Sequence, residues 1–540
     1  MREWFKTQVV ARRSMNATLW TLFFQICVVC ITLFMFNALS WNVMQGFTDV
    51  MWSYIGYPEL CFQVLLALVT SFISIIQLNQ LSVVPKIWRS RLDVIVNFCK
   101  PKNIFNIIVC GLGGGVVVRC YLALISKKHK NLSQICLYDT DLICLDEKHF
   151  FVVFNGMFAG MLYYISSFLQ DSYYLEINPF HQPKLLVSKS EIHNVIVEGA
   201  IRTLQEMKYF YVVYFVFGKS FRDNVSIVLN LSYGEEYKLT TFKGLLDIDL
   251  FLTVFITGIL LHIVWAYNKY LLKIFLTERI VFPLEETFEA EKDRCLHHSL
   301  ACNDIPLLQS LGYLDLCLLA KYSFKRRQQI FSVSQPGGHP HQWNQISSSV
   351  LAHIETLMKQ LSTVSSVPPK TESQKPKEVP PTDLNSIKRI ENYLAYKLQK
   401  IIDFCNKISP VSAIYSEYPE AQTHKYFLTC QPVIWGIEAL SFLVCASYHE
   451  DRYGVIQKSL SKITSLMLDL QTTLERFQKS LSVARKPGPL SRDIQLRQSL
   501  RIALNGALYR IALTFRKHLS DITFQQDHRQ QLCEFSQLKK

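Results

Sequence analysis

The sequence predicts an all-α fold: a polytopic membrane domain of helices followed by a soluble, cytosolic α-helical domain. Long apolar runs fill the first half of the chain and are missing from the second. A Pro/Lys-rich stretch too polar to bury a core interrupts the second half, and beyond it apolar residues recur at helical spacing. The expected organisation is a six-span transmembrane domain over 1–280 and a cytosolic helical region over 281–366. A linker over 367–385 and a C-terminal α-helical bundle over 386–540 complete it.

The spans follow from helix geometry. At about 1.5 Å per residue, about 20 apolar residues cross a hydrocarbon core of about 30 Å. The runs Leu19–Leu39, Leu60–Leu78, Ile104–Ile125, Phe150–Leu169 and Leu250–Tyr267 meet that length. A further crossing is placed at Val195–Phe217, although only Tyr209–Gly218 is continuously apolar and Glu198, Arg202, Glu206 and Lys208 intrude. The first run is too long for a signal-peptide core and is read as a retained helix.

Orientation follows from charge. The N-terminal tail holds Arg2, Lys6, Arg12 and Arg13, and the loop after the second span holds Lys86, Arg89, Arg91, Lys100 and Lys102. Ser40–Glu59 has no Lys or Arg but carries Trp41, Trp52, Tyr54 and Tyr57, as a lumenal interfacial loop would. Alternation then puts the segment with Lys127, Lys128 and Lys130 in the lumen against the charge rule, together with the sequon at Asn131. The crossing at Val195–Phe217 makes the loop Lys219–Lys243 lumenal, with sequons at Asn224 and Asn230. Lys269, Lys273 and Arg279 mark a cytoplasmic exit, so both termini face the cytosol.

Within the third span, Gly111, Gly113, Gly114 and Gly115 read as small residues that let helices approach closely, not as a phosphate loop. Arg119, about six residues from that span's end, is expected to snorkel; a buried functional ion pair is the minority reading. Cys136 and Cys144 share a lumenal loop, either as a disulfide or as two thiols. The other cysteines are scattered; Cys27 and Cys30 alone have CxxC spacing, inside an apolar run, which argues against a zinc ribbon.

In the soluble half, Ile387, Ile390, Leu394, Leu398, Ile401 and Cys405 trace an amphipathic helix, and Val433–Ala446 is a short core helix interrupted by Glu438. Ile456, Leu460, Ile463, Met467, Leu470, Leu474, Phe477 and Leu481 alternate steps of four and three, the a/d seam of packed helices. This is the candidate bundle seam or partner-binding stripe, with packing inside the chain favoured. Leu500, Leu504, Leu508, Ile511, Phe515 and Leu519 form a second stripe that can pack against it.

The formal net charge of +14 suits anionic headgroups or acidic partners, and no basic helix interleaved with aromatics supports direct nucleic-acid binding. Cys295, His297, His298 and Cys302 lack a familiar zinc spacing, and His339 and His341 lack a third partner. No HExxH, GxSxG or phosphate-loop pattern occurs. The expectation is a protein that is no enzyme, with no cofactor, metal or small-molecule substrate and with membrane lipids among its partners. Two alternatives keep a place. A transporter or channel is motivated by Arg119 and the polar residues of the fifth span, without an evident inverted repeat. A membrane-embedded lipid-modifying enzyme would need ionisable residues converging at one depth, which the sequence does not display.

Three segments go beyond pattern: KYSFKRRQQIFSVSQPGGHPHQW over Lys321–Trp343, WGIEALSFLVCASYHEDRYGVIQ over Trp435–Gln457, and LRIALNGALYRIALTFRKHL over Leu500–Leu519. With the multi-span half they closely resemble the vertebrate transmembrane nucleoporin family named for the nuclear division cycle, across essentially the whole chain. The resemblance implies a six-span component of the nuclear pore complex in the nuclear envelope that anchors scaffold nucleoporins and supports pore assembly and insertion. It implies as partners the WD-repeat nucleoporin Aladin, an RRM-containing membrane-associated scaffold nucleoporin and other pore-membrane proteins. The family's longer Ser/Pro-rich linker is not matched by Val367–Asp383, and Phe217-Gly218 is the sole Phe-Gly pair, so the chain is not expected to form the permeability barrier.

Overall fold

The computed structural model describes residues 1–38, 56–86, 88, 90–125, 133–135, 143–170, 172–180, 182–229, 239, 247–285, 294–333, 338–365, 426–427, 429–482, 492–518, 522 and 525–537. These fall into two compact units. One comprises Glu3–Val83 and Phe98–Glu278; the other comprises Arg279–Lys540 with Val84–Asn97 and Met1–Arg2. The linker, the stripe Ile387–Cys405, the sequons at Asn131 and Asn230, and Cys136 lie outside the described residues.

The first unit holds α1 (Ala11–Ala38), entered through a π-helical turn at Phe5–Val10, and α2 (Tyr57–Leu78). The short α3 (Arg91–Phe98) belongs, except for Phe98, to the other unit, and the first unit continues with α4 (Pro101–Ile125), α5 (Glu147–Leu169), α6 (Lys184–Leu229) and α7 (Ile248–Leu276). Asp146 and Asp247 cap α5 and α7 by accepting backbone N–H bonds from Lys148 and Asp249, which satisfies donors the helix cannot. Between α4 and α5, β1 (Ser133–Ile135) and β2 (Ile143–Leu145) form a small antiparallel ribbon absent from the all-α expectation.

Side-chain contacts fix the directions of the long helices. Thr18 meets Ser74 at 2.8 Å and Thr70 donates to Gln25 at 3.0 Å, so α1 and α2 run antiparallel. Asn106 donates to Tyr164 at 3.2 Å while Val118 packs on Gly156, which opposes α4 and α5. Ser188 meets Tyr267 at 2.6 Å and Gly258 packs on Thr203, which opposes α6 and α7. Arg13, near the start of α1, donates to the carbonyls of Leu276 and Glu278 at the end of α7. The six long helices therefore alternate in direction, and the bundle's first and last residues lie at one end.

Five of the described helices are long and apolar enough to cross a bilayer, and α6 is not among them. It is also far longer than the expected Val195–Phe217: its 46 residues extend about 69 Å. Residues 219–229 are helical, which corrects the expected loop from Lys219 and places Asn224 inside a helix.

The second unit contains α8 (Leu296–Ala301), α9 (Pro306–Tyr322), α10 (Phe324–Ile330) and α11 (His341–Ser365). It continues with α12 (Gln431–Glu450), α13 (Gln457–Ser482), α14 (Arg492–Thr514) and α15 (Gln526–Gln537). Helix α9 is buried nearly all round, from Leu308 to Ala320, and packs on α12, which in turn packs on α14. A helix apolar on every face belongs at the centre of a core.

Candidate anchoring and docking sites

The inside of the membrane unit is pinned by polar groups that satisfy one another. Thr21 donates to Asn268 at 2.9 Å, and Asn268 donates to Gln77 at 2.9 Å. Gln77 reaches the Trp265 carbonyl at 3.1 Å, which also accepts from Tyr163 at 3.1 Å. These bonds tie α1, α2, α5 and α7 together. Lipid offers no replacement partner, so they set register as well as cohesion. A cavity of 50 Å³ between Gln25, Gln63 and Leu66 is far smaller than the several hundred Å³ of a substrate pocket. Arg119 sits on the exposed face of α4, not along an interior path.

Helix α6 is held alongside α5 at both of that span's ends. At the start of α5, Glu147 pairs with Arg222 at 3.2 Å and accepts the Leu239 N–H at 3.2 Å. At its end, Arg202 donates to Gln170 at 3.1 Å and to Ser166 at 3.4 Å. Between these clamps Phe210 and Tyr214 are buried against Phe151, while Val212, Phe215, Val216 and Phe217 face outward. Glu206, the charge that spoils the hydropathy of this stretch, faces inward and meets His262 of α7 at 2.6 Å.

In the second unit three sequence segments converge. Asp315 on α9 is fully buried and accepts from Arg326 at 2.8 and 3.0 Å, from Arg279 at 3.4 Å and from the Phe282 N–H at 3.1 Å. Arg327 forms a bidentate pair with Glu450 at 2.7 and 2.9 Å, and those bonds hold its guanidinium above its ordinary pKa. Lys321 meets Glu438 at 2.6 Å; burial is the largest single influence and lowers the ammonium's pKa, but the bond and charge of Glu438 together with the Cys317 sulfur outweigh it and the net shift is upward. Arg510 lies over the Phe442 ring at 4.3 Å and donates to Ser441 at 2.8 Å. Trp343 is fully buried and donates to Ser459 at 3.0 Å.

The described residues of Lys321–Trp343, Trp435–Gln457 and Leu500–Leu519 are thus one packed assembly. A sequence profile for the family described as Nucleoporin protein Ndc1-Nup matches residues 8–395 and 384–533. The chain belongs to that family. It is similar to nucleoporin NDC1 of Xenopus laevis, 28% identical over 93% of this chain and 94% of that protein. The human nucleoporin NDC1 is 26% identical over 99% and 97%, and that of Danio rerio 24% over 99% and 99%. The human alignment runs over 661 positions against 540 residues here, so the relative has residues without counterpart. The profile's two stretches meet at 384–395, beside the short linker.

The candidate stripe lies on α13 and at its entry. Ile456, Leu460, Ile463, Met467, Leu470, Leu474 and Phe477 are buried within the unit, while the side chain of Leu481 is outside those described. Phe477 packs on Phe427 at 5.5 Å between ring centroids. On the second stripe Leu500, Leu504, Leu508 and Ile511 are buried, Phe515 is partly buried and Leu519 lies outside the described residues. Cys295 is buried and Cys302 is not; among the described residues no group of His, Cys, Asp or Glu is placed to hold a metal.

Sequence reasoning left the partners of Glu438, Arg326 and Arg327 unassigned. The signal that was available was Asp315, a lone carboxylate within the apolar run Leu311–Leu319, which is tolerable in a core only if paired.

Proposed function

We propose that the chain is a structural membrane component of the nuclear pore complex that crosses the nuclear envelope six times with both termini in the cytosol. The clamping of α6 along the whole length of α5 carries the topology: Arg222 at one end and Arg202 at the other lie 20 residues apart, about 30 Å of helix, the thickness of a hydrocarbon core. A helix bound to both ends of a crossing helix crosses with it. The chain leaves α7 at the end where α1 begins, so the second unit follows on the N-terminal side.

In this reading the spans hold the protein in the pore membrane, and the second unit binds pore components on its outer surface, since its seam is consumed by its own packing. Aladin, an RRM-containing membrane-associated nucleoporin and other pore-membrane proteins are the proposed partners, on the strength of the family resemblance. A scaffold role without catalysis suits a site made of structural ion pairs. Tagged protein is expected in a punctate nuclear rim; even staining of the endoplasmic reticulum would contradict the proposal. Cross-linking mass spectrometry on nuclear envelopes identifies the partners.

A further inference from the structure

We propose that the outer face of α14 docks an amphipathic helix of another protein, one whose apolar stripe is flanked by Asp and Glu. Helix α14 is apolar on two sides. Leu500, Ala503, Leu504, Ala507, Leu508 and Ile511 are buried and turn inward, where α14 packs on its neighbours α12, α13 and α15. Ile502, Gly506, Tyr509 and Leu513 follow steps of four, three and four, and at about 3.6 residues per turn they fall on the opposite side. There Ile502 is 72% exposed and Leu513 46%, with Tyr509 partly buried between them. The outer face of a soluble helix is ordinarily polar, so an apolar ridge at this spacing marks a contact made outside the unit.

Gly506 sits in the middle of the ridge. A Cβ added there would meet nothing nearer than an Arg510 guanidinium nitrogen at 3.9 Å, so the unit's own packing does not require a residue this small. Glycine is a poor helix former, and a notch between apolar side chains suits the close approach of a second backbone. This decides between two occupants. A lipid surface is best met by bulky apolar side chains along the whole ridge, whereas a helix laid on it uses the notch. Charge sets what flanks that helix. From Ile494 to His518 the sequence has no Asp or Glu. Arg501 beside Ile502, and Arg516 and Lys517 beyond Leu513, are exposed and form no ion pair among the described residues. Carboxylates beside the partner's apolar stripe complement them. This surface deepens the docking role proposed for the second unit and rests on it.

The test places photoreactive benzoylphenylalanine at Gln498, exposed one turn before Ile502, in the tagged full chain in isolated nuclear envelopes. Cross-linked peptides are sequenced by mass spectrometry. The expected product joins position 498 to a peptide of another protein with apolar residues at helical spacing and Asp or Glu beside them. Gly506→Leu fills the notch and Arg501→Glu reverses a flanking charge. Each is expected to cut the yield about tenfold with the melting midpoint unchanged, since both positions face outward. Lys462→Glu, on the exposed surface of α13, leaves the yield as it was. A yield that survives both ridge substitutions overturns the proposal, as does a product with lipid or with a second copy of the chain, or no product at all. If Gly506→Leu fails to fold, Arg501→Glu decides: no loss of yield overturns the surface. Imaging of the same tagged chain keeps the two readings apart. A punctate rim without the acidic helical product defeats this surface alone, whereas loss of the rim defeats the pore assignment.

Discussion

Asp315 shows how one residue organises the second unit. Its carboxylate draws two arginines and the Phe282 N–H, and joins α9 to the chain entering at Arg279. Removing one partner of a buried pair strands the other, at a cost of about 3–5 kcal/mol. Asp315→Asn in the detergent-solubilised full chain is expected to lower the melting midpoint by several degrees in scanning fluorimetry; an unchanged midpoint would show the pair to be inessential. His353 gives a pH-dependent counterpart. It lies on α11 against Tyr313 at 5.4 Å, and burial lowers its pKa from the ordinary value. The unfolded chain takes up that proton at about pH 6.5, more readily than the folded one. Its contribution to stability is complete above that pH and is lost as pH falls below it. His353→Phe is expected to flatten the loss between about pH 6.5 and 5 in chemical-denaturation curves. Burial also pushes the Cys317 and Cys430 thiols up to about 12, so both are expected to resist alkylation at neutral pH until the fold is opened, while exposed Cys99 reacts.

At the scale of elements, helix packing was legible where its signal is local. The glycines of α4 do pack closely: Gly115 meets Met157, where an added Cβ would sit 2.6 Å away, and Gly114 abuts the backbone of Gly156. Gly114→Leu is expected to force α4 and α5 apart and cost more than the ~1–3 kcal/mol of ordinary overpacking, read as loss of a monodisperse peak in size-exclusion chromatography. On α13 and at its entry, residues at four-three spacing from Ile456 to Phe477 are buried. Leu470→Ala is expected to destabilise the unit by about 2–5 kcal/mol, with partner binding lost only as the fold is lost. Helix α6 was the least legible element. Window hydropathy scores Glu206 and Arg202 as if they faced lipid, whereas the fold turns one toward His262 and the other toward Gln170. The same helix changes the glycosylation expectation. Asn224 is helical and the Ser226 hydroxyl bonds the Asp223 carbonyl, so the sequon is not presented in an extended loop. Asn224→Gln is therefore expected to leave gel mobility unchanged before and after glycosidase treatment.

Across the whole molecule, two kinds of surface share one chain. The first unit exposes large apolar side chains outward, as a lipid-facing bundle does, and keeps polar groups for its interior. The second buries its apolar stripes and joins them with arginine–carboxylate pairs whose members lie up to 123 residues apart in sequence. Such distant pairings leave no periodic trace, which is why the three family segments could be recognised before their mutual contacts could be stated. The profile's first stretch runs through the linker to residue 395 and its second begins at 384, so family sequence lies on both sides of it. Six crossings require α6 to cross the membrane beside α5. The most direct test is protease treatment of sealed microsomes carrying the full chain with a different epitope at each terminus. Loss of both epitopes without detergent is the predicted result; digestion of the N-terminal epitope with protection of the C-terminal one would mean five crossings and contradict the account.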